Sequence, residues 1–378
     1  MAALTDRQML EAAIAADFED VAAHAAYADL LVEQGDPRGE YIQLRLALEN
    51  RDQSPRLLRQ WEDRANHILR QHQREWLGPL APFLLDRHRE TVEPDRPNIE
   101  FTFDRGWLTE VDVLDARDAF TTVLAGAREA RMLQELTLRN TLLANNRGPL
   151  EPLLTADFLP SLVSFTLGDF SAYRATADGG KVAELVRHTR RLRHLTLRAT
   201  YLPAAELFAL PLPELRLLAV GSLESVPWNV LGRNTSLSGL ERVWLSSVFE
   251  PGADVILTQE AEVHSLTAFL TAPQFGRLTD LTLRVTNLAD SVCHALVGSG
   301  VLKRLKRLDL RQCNITDEGA VALAGCRDLA NLERLDIGQN RLTGTGVDAL
   351  LSVGIPVQYD QQWGEYPEMP PAEDYGYV

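Results

Sequence analysis

The chain has 378 residues, 45% hydrophobic and 24% charged, with a formal net charge of −15. That is enough apolar material for a sizeable core and two structural units, and an acidic balance argues against nonspecific nucleic-acid binding, which needs a basic footprint. The opening MAALTDRQMLEAA lacks an apolar signal region, no apolar run approaches the ~18–20 residues that span a bilayer, and three cysteines (Cys293, Cys313, Cys326) suit a reducing cytoplasm better than a disulfide framework.

Residues 1–85 read as a small all-α domain. Thr5-Asp6 can cap a first helix whose apolar side includes Met9, Leu10, Ala13 and Ile14. After the polar break Asp17–Asp20, a second helix would bury Val21, Ala25, Ala28, Leu31 and Val32. Gly35-Asp36-Pro37 is a strong stop. A third helix would present Tyr41, Leu44, Leu48 and Ile42. A fourth, after Ser54-Pro55, would run through Trp61, Ala65, Ile68 and Leu69 towards Trp76. Residues 86–107 read as a linker and entry segment, with 86–98 polar and holding two prolines.

From there one phrase recurs. Leu305, Leu308, Leu310, Cys313 and Ile315 occupy positions 1, 4, 6, 9 and 11, and Leu332, Leu335, Ile337, Asn340 and Leu342 repeat that spacing 27 residues later. Earlier copies start at Leu133, Leu162, Leu192, Leu215, Leu240 and Leu278, so the eight starts are 29, 30, 23, 25, 38, 27 and 27 residues apart. Leu108, Val111, Val113 and Ala116 suggest a ninth, degenerate strand. This apolar spacing at a period of roughly 20–29 residues is similar to a leucine-rich repeat, which adds one strand per turn of a solenoid.

The expected fold is therefore an α/β horseshoe over residues 108–356, about eight or nine repeats, with a parallel concave sheet and helices on the convex side. TDEGAVALAGC and TGTGVDALLSVG read as helices, so this end resembles the ribonuclease-inhibitor type. The Leu240 repeat is long by about ten residues near Phe249–Val263. Such an insertion is either a functional loop or a tolerated surface excursion.

Tyr27-Ala28-Asp29-Leu30-Leu31 and Gly35-Asp36-Pro37-Arg38-Gly39-Glu40-Tyr41-Ile42-Gln43-Leu44 resemble the repeat-companion domain at the N-terminus of many bacterial leucine-rich-repeat proteins. Leu30 departs from the tryptophan common there. Phe101–Val113 (FTFDRGWLTEVDV) resembles the aromatic-Arg-Gly-aromatic segment that leads such chains into their first repeat. The resemblance implies a bacterial, two-part architecture and little about activity.

In each strand positions 4 and 6 point inward, so positions 3, 5 and 7 face the concave surface. Down the eight copies that surface holds seven arginines against four carboxylates. The candidate partner-binding residues are Arg139, His194, Arg198, Leu217, Arg242, Trp244, Arg284, Arg307 and Arg311. Trp244 beside Arg242 has the composition of a binding hot spot, unless the long insertion covers it. Arg307, Asp309, Arg311, Arg334 and Asp336 can equally be cross-strand pairs of small individual value. The docked ligand would be a protein segment bearing acidic or aromatic residues.

Residues 357–378 form an acidic, aromatic tail with Pro367, Pro370 and Pro371 and no Lys or Arg. Tyr359 and Trp363 can cover the apolar end of the last repeat. Tyr366, Glu368, Glu373, Asp374, Tyr375 and Tyr377 can dock on a partner or on the chain's own arginine face. Gly179-Gly180-Lys181 lacks phosphate-loop spacing, no catalytic triad or metal-ligand motif is present, and Cys313 stands where such repeats satisfy turn backbone groups. The sequence thus points to a non-catalytic interaction module without metal or cofactor, with neither nucleic acid nor membrane as partner. An accessory or inhibitory subunit that regulates an enzyme is the alternative.

Overall fold

The computed structural model describes residues 5–50, 52–86, 99–115, 118–140, 150–169, 177–223, 226–247, 256–284 and 288–362. Residues 87–98 of the expected linker, 248–255 of the insertion and 363–378 of the tail lie outside them. The chain divides into two compact units, Met1–Phe165 with His188–Arg191, and Thr166–Arg187 with Leu192–Val378.

The first unit opens with α1 (Asp6–Ala16), α2 (Val21–Glu33), α3 (Pro37–Glu49), α4 (Pro55–Leu77) and α5 (Ala81–Leu84). Each long helix starts on a side-chain cap. Thr5 forms a capping box with Gln8, Asp20 accepts from Ala23 N, Asp36 from Arg38 N and Ser54 from Leu57 N. Pro37 and Pro55 occupy first-turn positions where no amide partner is lost.

The buried faces differ in part from the apolar stripes. Along α2 the buried residues are Ala23, His24, Tyr27, Ala28 and Leu31, while Val21 and Val32 are exposed; α1 buries Glu11 and Ile14 and leaves Met9 exposed. The reason is Tyr27. Its ring stacks on Trp107 at 5.2 Å and its hydroxyl donates to Glu11 Oε1 at 2.9 Å, so a distant aromatic fixes which side of α2 turns inward.

The entry segment is a hairpin of β1 (Ile99–Asp104) and β2 (Trp107–Asp115), antiparallel, with Asp104 opposite Trp107. Its two turn residues, Arg105 (φ 43°) and Gly106 (φ 82°), both lie in the left-handed region that such turns require. Arg105 is held there by Phe18 O at 2.8 Å and Glu49 at 2.7 Å. The sequence did not announce β1, because the pairing that makes it a strand is with the next segment rather than with a repeat.

The chain continues through α6 (Asp118–Gly126), β3 (Glu135–Asn140), β4 (Ser164–Leu167), α7 (Val182–Arg187), β5 (His194–Arg198), α8 (Ala204–Phe208) and β6 (Leu217–Leu223). It proceeds to α9 (Trp228–Arg233), β7 (Arg242–Ser247), α10 (Ile256–Thr271), β8 (Asp280–Arg284), α11 (Asp290–Ser299) and β9 (Arg307–Asp309), and closes with α12 (Asp317–Ala324), β10 (Arg334–Asp336), α13 (Gly344–Leu351) and β11 (Val357–Gln358). Eleven strands form one sheet whose order is the order of the chain. Beyond the hairpin, β2 pairs with β3, and β5 to β11 pair in succession, all parallel. The fold is that of a leucine-rich-repeat solenoid with a helical N-terminal region.

Positions 1, 4 and 6 of all eight copies are no more than 3% exposed. Each such side chain contributes roughly 1.5–3 kcal/mol by leaving water. The long Leu240 repeat spends much of its excess on α10, which packs on α9 and α11 and sets Phe269 against Trp228 at 5.5 Å.

Side chains tie the last turns together. Asn340, fully buried, accepts from Cys313 N and Ile315 N at 3.0 and 3.1 Å and donates to Leu310 O, Ile337 O and Gly338 O. Asp290 accepts from Thr316 N at 2.7 Å and Gly319 N at 3.1 Å, and Asp317 repeats this with Thr343 N at 2.8 Å and Gly346 N at 3.1 Å. Gly319 and Gly346 are needed there, since a Cβ would stand 2.5 and 2.4 Å from those carboxylate oxygens.

The expected tail begins with a truncated further repeat. Gln312, Gln339 and Gln361 share left-handed backbone (φ 60°, 55°, 56°), and their amides form a ladder with steps of 2.8 Å. Gln362 takes the role of Asn340, accepting from Leu342 N at 3.1 Å and donating to Ile337 O at 2.9 Å. Polar closure by β11 and these amides therefore accompanies Tyr359, which is 39% exposed.

Truncating Asn340 to Ala strands several buried backbone groups, each costing about 1–3 kcal/mol. Asn340→Ala is expected to lower the urea-unfolding free energy by about 2–4 kcal/mol, against less than about 0.5 kcal/mol for an exposed control such as Glu333→Ala.

Candidate interaction face

In the second unit the strand register stacks positions 3, 5 and 7 into rows on the open face of the sheet. One row runs His194, Leu217, Arg242, Asp280, Arg307 and Arg334; the next runs Thr196, Ala219, Trp244, Thr282, Asp309 and Asp336. Position 7 brings Arg198, Gly221, Ser246, Arg284 and Arg311 to the same face.

Trp244 is seated by its neighbour. A Cβ on Gly221 would stand 2.9 Å from Trp244 Cζ3 and 3.2 Å from Cη2, so the indole lies across the glycine. The same point is 3.7 Å from Arg198 Cγ. Ala219, directly across the ladder, is also small, and the β6–β7 register shifts just past Val220. On the other side the Arg284 guanidinium stands 5.4 Å from the ring centroid, a cation–π contact. The small residues at 219 and 221 are the sequence signal for this seat.

Charge on this face is graded. Arg307 pairs with Asp280, and Arg311 with Asp309 at 2.8 Å and Asp336 at 3.4 Å. Arg284 reaches Asp309 at 3.3 Å. Burial pulls the Arg284 guanidinium down from its ordinary pKa against the pull of Asp309. Burial also pushes the Asp309 carboxyl up, but hydrogen bonds to Arg311 and the charges of Arg284 and Arg311 outweigh it and hold the group below its ordinary value. Asp336 is raised, by burial and then by the adjacent Asp309. His194 is lowered by burial and by Arg242 and Arg193, which keeps it neutral near pH 7.

The expected residues thus separate. Trp244, Leu217, His194 and Arg198 are half-buried and Arg242 is exposed, all on β5 to β7. Arg242 makes no ion pair among the described residues. Arg307 and Arg311 are engaged in cross-strand pairs. Two corrections concern burial. Arg284 is 7% exposed under its contacts with Trp244 and Asp309, and Arg139, in the first unit, is 2% exposed and bound to Asp112 at 2.7 Å. Both serve the sheet rather than presenting charge to solvent. Tyr366, Glu368, Glu373, Asp374, Tyr375 and Tyr377 lie outside the described residues.

A residue not singled out from sequence follows β5 by three positions. Tyr201, just after β5, is 79% exposed and adopts φ 54°, an uncommon conformation for a bulky side chain. Cys313 is buried with its Sγ 2.9 Å from Leu283 O, and burial raises the Cys293 thiol well above its ordinary value, the opposite of activation. Among the described residues no three His, Cys, Asp or Glu side chains are placed to hold a metal ion, and no helix is long and apolar enough to cross a membrane.

Residues 303–324 and 329–351 match the family model described as Leucine Rich repeat. These turns are leucine-rich repeats. Among solved structures, a protein from Bacteroides fragilis aligns at 16% identity with a TM-score of 0.51, over 67% of this chain and 73% of that one. A chain of the yeast Rad7–Elc1 complex aligns at 16% identity with a TM-score of 0.42, over 68% of this chain and 62% of that one. A leucine-rich-repeat protein of Leptospira interrogans aligns at 15% identity with a TM-score of 0.30, over 68% and 72%. At 16% identity the likeness to the Bacteroides fragilis protein speaks for the fold alone. No curated protein matches the sequence. Solenoids of stacked repeats commonly present extended binding surfaces.

Asp309 holds the buried Arg284 and the half-buried Arg311 together. Asp309→Asn is expected to cost about 2–4 kcal/mol at pH 7, because it leaves a buried guanidinium uncompensated. The sign with pH follows from a folded pKa below the unfolded 3.8. The carboxylate stabilises the fold above that value and loses the contribution as pH falls through its folded pKa. The gap between wild type and variant should therefore narrow between pH 5 and pH 2 in urea-unfolding measurements.

Proposed function

We propose that the chain is a non-catalytic protein–protein interaction module that binds a protein partner through the open face of β5 to β8. The observation that carries this reading is Trp244, held over Gly221 and backed by Arg284, beside half-buried Leu217 and the exposed Arg242, which makes no ion pair among the described residues. An aromatic anchor already fixed in its bound position loses little conformational freedom on association. Such anchors, with arginine, dominate interface energetics. The patch is cationic in a chain of net −15, which selects an acidic or aromatic-bearing segment and steers its approach.

The α-helices that follow β8, β9 and β10 support the ribonuclease-inhibitor type of repeat. The resemblance to the repeat-companion domain gains support from the convergence of its two carrying segments. A Cβ on Gly106 would meet Ile42 at 2.8 Å and Arg38 Cγ at 3.1 Å, and Tyr41 donates to Phe103 O at 3.5 Å. That reading places the protein in a bacterium. Three free cysteines, two of them buried, favour a reducing cytoplasm.

The test uses immobilised full-length protein in native lysate, wild type beside a Trp244→Ala, Arg198→Glu, Arg242→Glu variant of unchanged circular dichroism and melting. Arg284 stays intact because it is structural. A protein retained by wild type should be lost from the variant by at least tenfold, and its capture should weaken as salt rises. Equal retention by both sinks the proposed face.

A further inference from the structure

The first unit contains a cluster of guanidinium groups whose anionic partners fall short. Arg38, on α3, stands 5.1 Å from the Trp76 ring and 5.9 Å from the Trp107 ring. Arg131 stands 4.9 Å from the same Trp107 ring, and Arg7 lies 5.9 Å over Tyr27, which stacks on Trp107. Glu11 serves this group through one oxygen, Oε1, which meets Arg131 Nη2 at 2.7 Å, Tyr27 OH at 2.9 Å and Arg7 Nε at 3.2 Å. The other acidic neighbour, Asp36, is turned to its own helix, where it caps Arg38 N at 2.9 Å.

That leaves the Arg38 side chain without a hydrogen bond or ion pair among the described residues. Arg38 Nε, Arg131 Nε and Trp107 Nε1 are all buried N–H donors without a partner among the described residues, and Trp107 is 2% exposed. Every unmet group is a donor. Aromatic faces offset part of the cost of a desolvated guanidinium, but they accept no N–H bond in its plane, and unmet buried donors are costly. Arg131 and Arg7 keep 23% and 41% of their side chains exposed, so the cluster has an edge open to solvent.

We propose that this cluster is an oxyanion-binding site, in which the guanidinium edges of Arg38, Arg131 and Arg7 receive a carboxylate or phosphate group. Guanidinium forks suit both groups because two parallel N–H donors match two oxygens. The site belongs to the helical unit and does not depend on the open-face reading. It gives that unit a ligand of its own.

The test is a titration of the full chain, followed by the indole Nε1–H resonances, with Trp107 assigned through Trp107→Phe. Sodium phosphate and sodium acetate are added separately at fixed ionic strength against sodium chloride. One anion is expected to move the Trp107 resonance saturably where chloride does not. Saturation by phosphate assigns a phosphate ligand and saturation by acetate a carboxylate ligand. Arg38→Gln should weaken the affinity at least tenfold. Arg7→Gln, at a more exposed position, should weaken it severalfold and keeps the test decisive if Arg38→Gln does not fold. A response that fails to saturate, matches chloride, or persists with unchanged affinity in Arg7→Gln overturns the proposal. A purely structural staple would lose stability in Arg38→Gln while leaving anion dependence nil in the wild type.

Discussion

One backbone device sets the register of the repeats. The carbonyl at position 2 of a repeat accepts two successive amides from the next. Gln134 O takes Val163 N and Ser164 N, Arg193 O takes Arg216 N and Leu217 N, and the pattern continues at Arg216, Glu241, Thr279 and Lys306. Both lone pairs are used, so neither amide is stranded where the chain leaves its turn. The consequence is positional. Each strand is forced to begin at position 3, and a slip of one residue would turn every leucine outward. The leucines stabilise the solenoid, but this bond pair decides which residues can be leucine.

With the register fixed, the open face is free to hold whatever its chemistry requires, and it holds two different things. Towards β9 and β10, Arg307, Arg311 and Arg334 are spent on Asp280, Asp309 and Asp336. Arg307 and Arg334 are exposed, and pairs of that kind contribute about 0–1 kcal/mol each; Arg311 is half-buried between Asp309 and Asp336. All three leave little charge for a ligand. Towards β6 and β7 the face changes to small and aromatic residues. Gly221 and Ala219 are small, and the Trp244 indole occupies the space beside them. Arg284 joins the two regions, its guanidinium lying over the indole while one edge reaches Asp309.

Legibility followed the range of the interactions. Positions 1, 4 and 6 were readable because burial imposes a local period, and Asn340 and Cys313 because one turn reuses one solution. The truncated repeat at Val357–Gln362 was missed although Gln361-Gln362 stands where Gln312-Cys313 and Gln339-Asn340 stand. Its strand is two residues long and Tyr359 replaces the leucine of position 6, so the apolar signal is gone while the polar one persists. The inner face of α2 was misread for a related reason. Tyr27 is turned inward by Trp107, 80 residues away in sequence, and no helical periodicity reports such a partner. At the candidate face the residue types were legible and their division of labour was not. Whether an arginine is exposed, paired or buried depends on the strands beside it.

The two units handle buried charge in opposite ways, and the difference bears on what each is for. In the second unit Arg284 is desolvated but keeps Asp309, so its charge is answered within the sheet. In the first unit Arg38 is desolvated between two indoles and, among the described residues, has no carboxylate turned towards it. Cation–π contacts are worth about 0.5–2 kcal/mol apiece, whereas desolvating an ion costs several kcal/mol in a real protein. Such a deficit would be reduced by replacing Arg38 with an apolar residue that packed as well between the rings. An arginine in that setting is better explained by a charge arriving from outside than by packing. The same accounting makes Glu11 intelligible. One oxygen is shared among two guanidiniums and the Tyr27 hydroxyl, whose pKa burial and then Glu11 push up to about 12. The single carboxylate orders the donors without neutralising them. Order without neutrality is what a receptor for an anion requires.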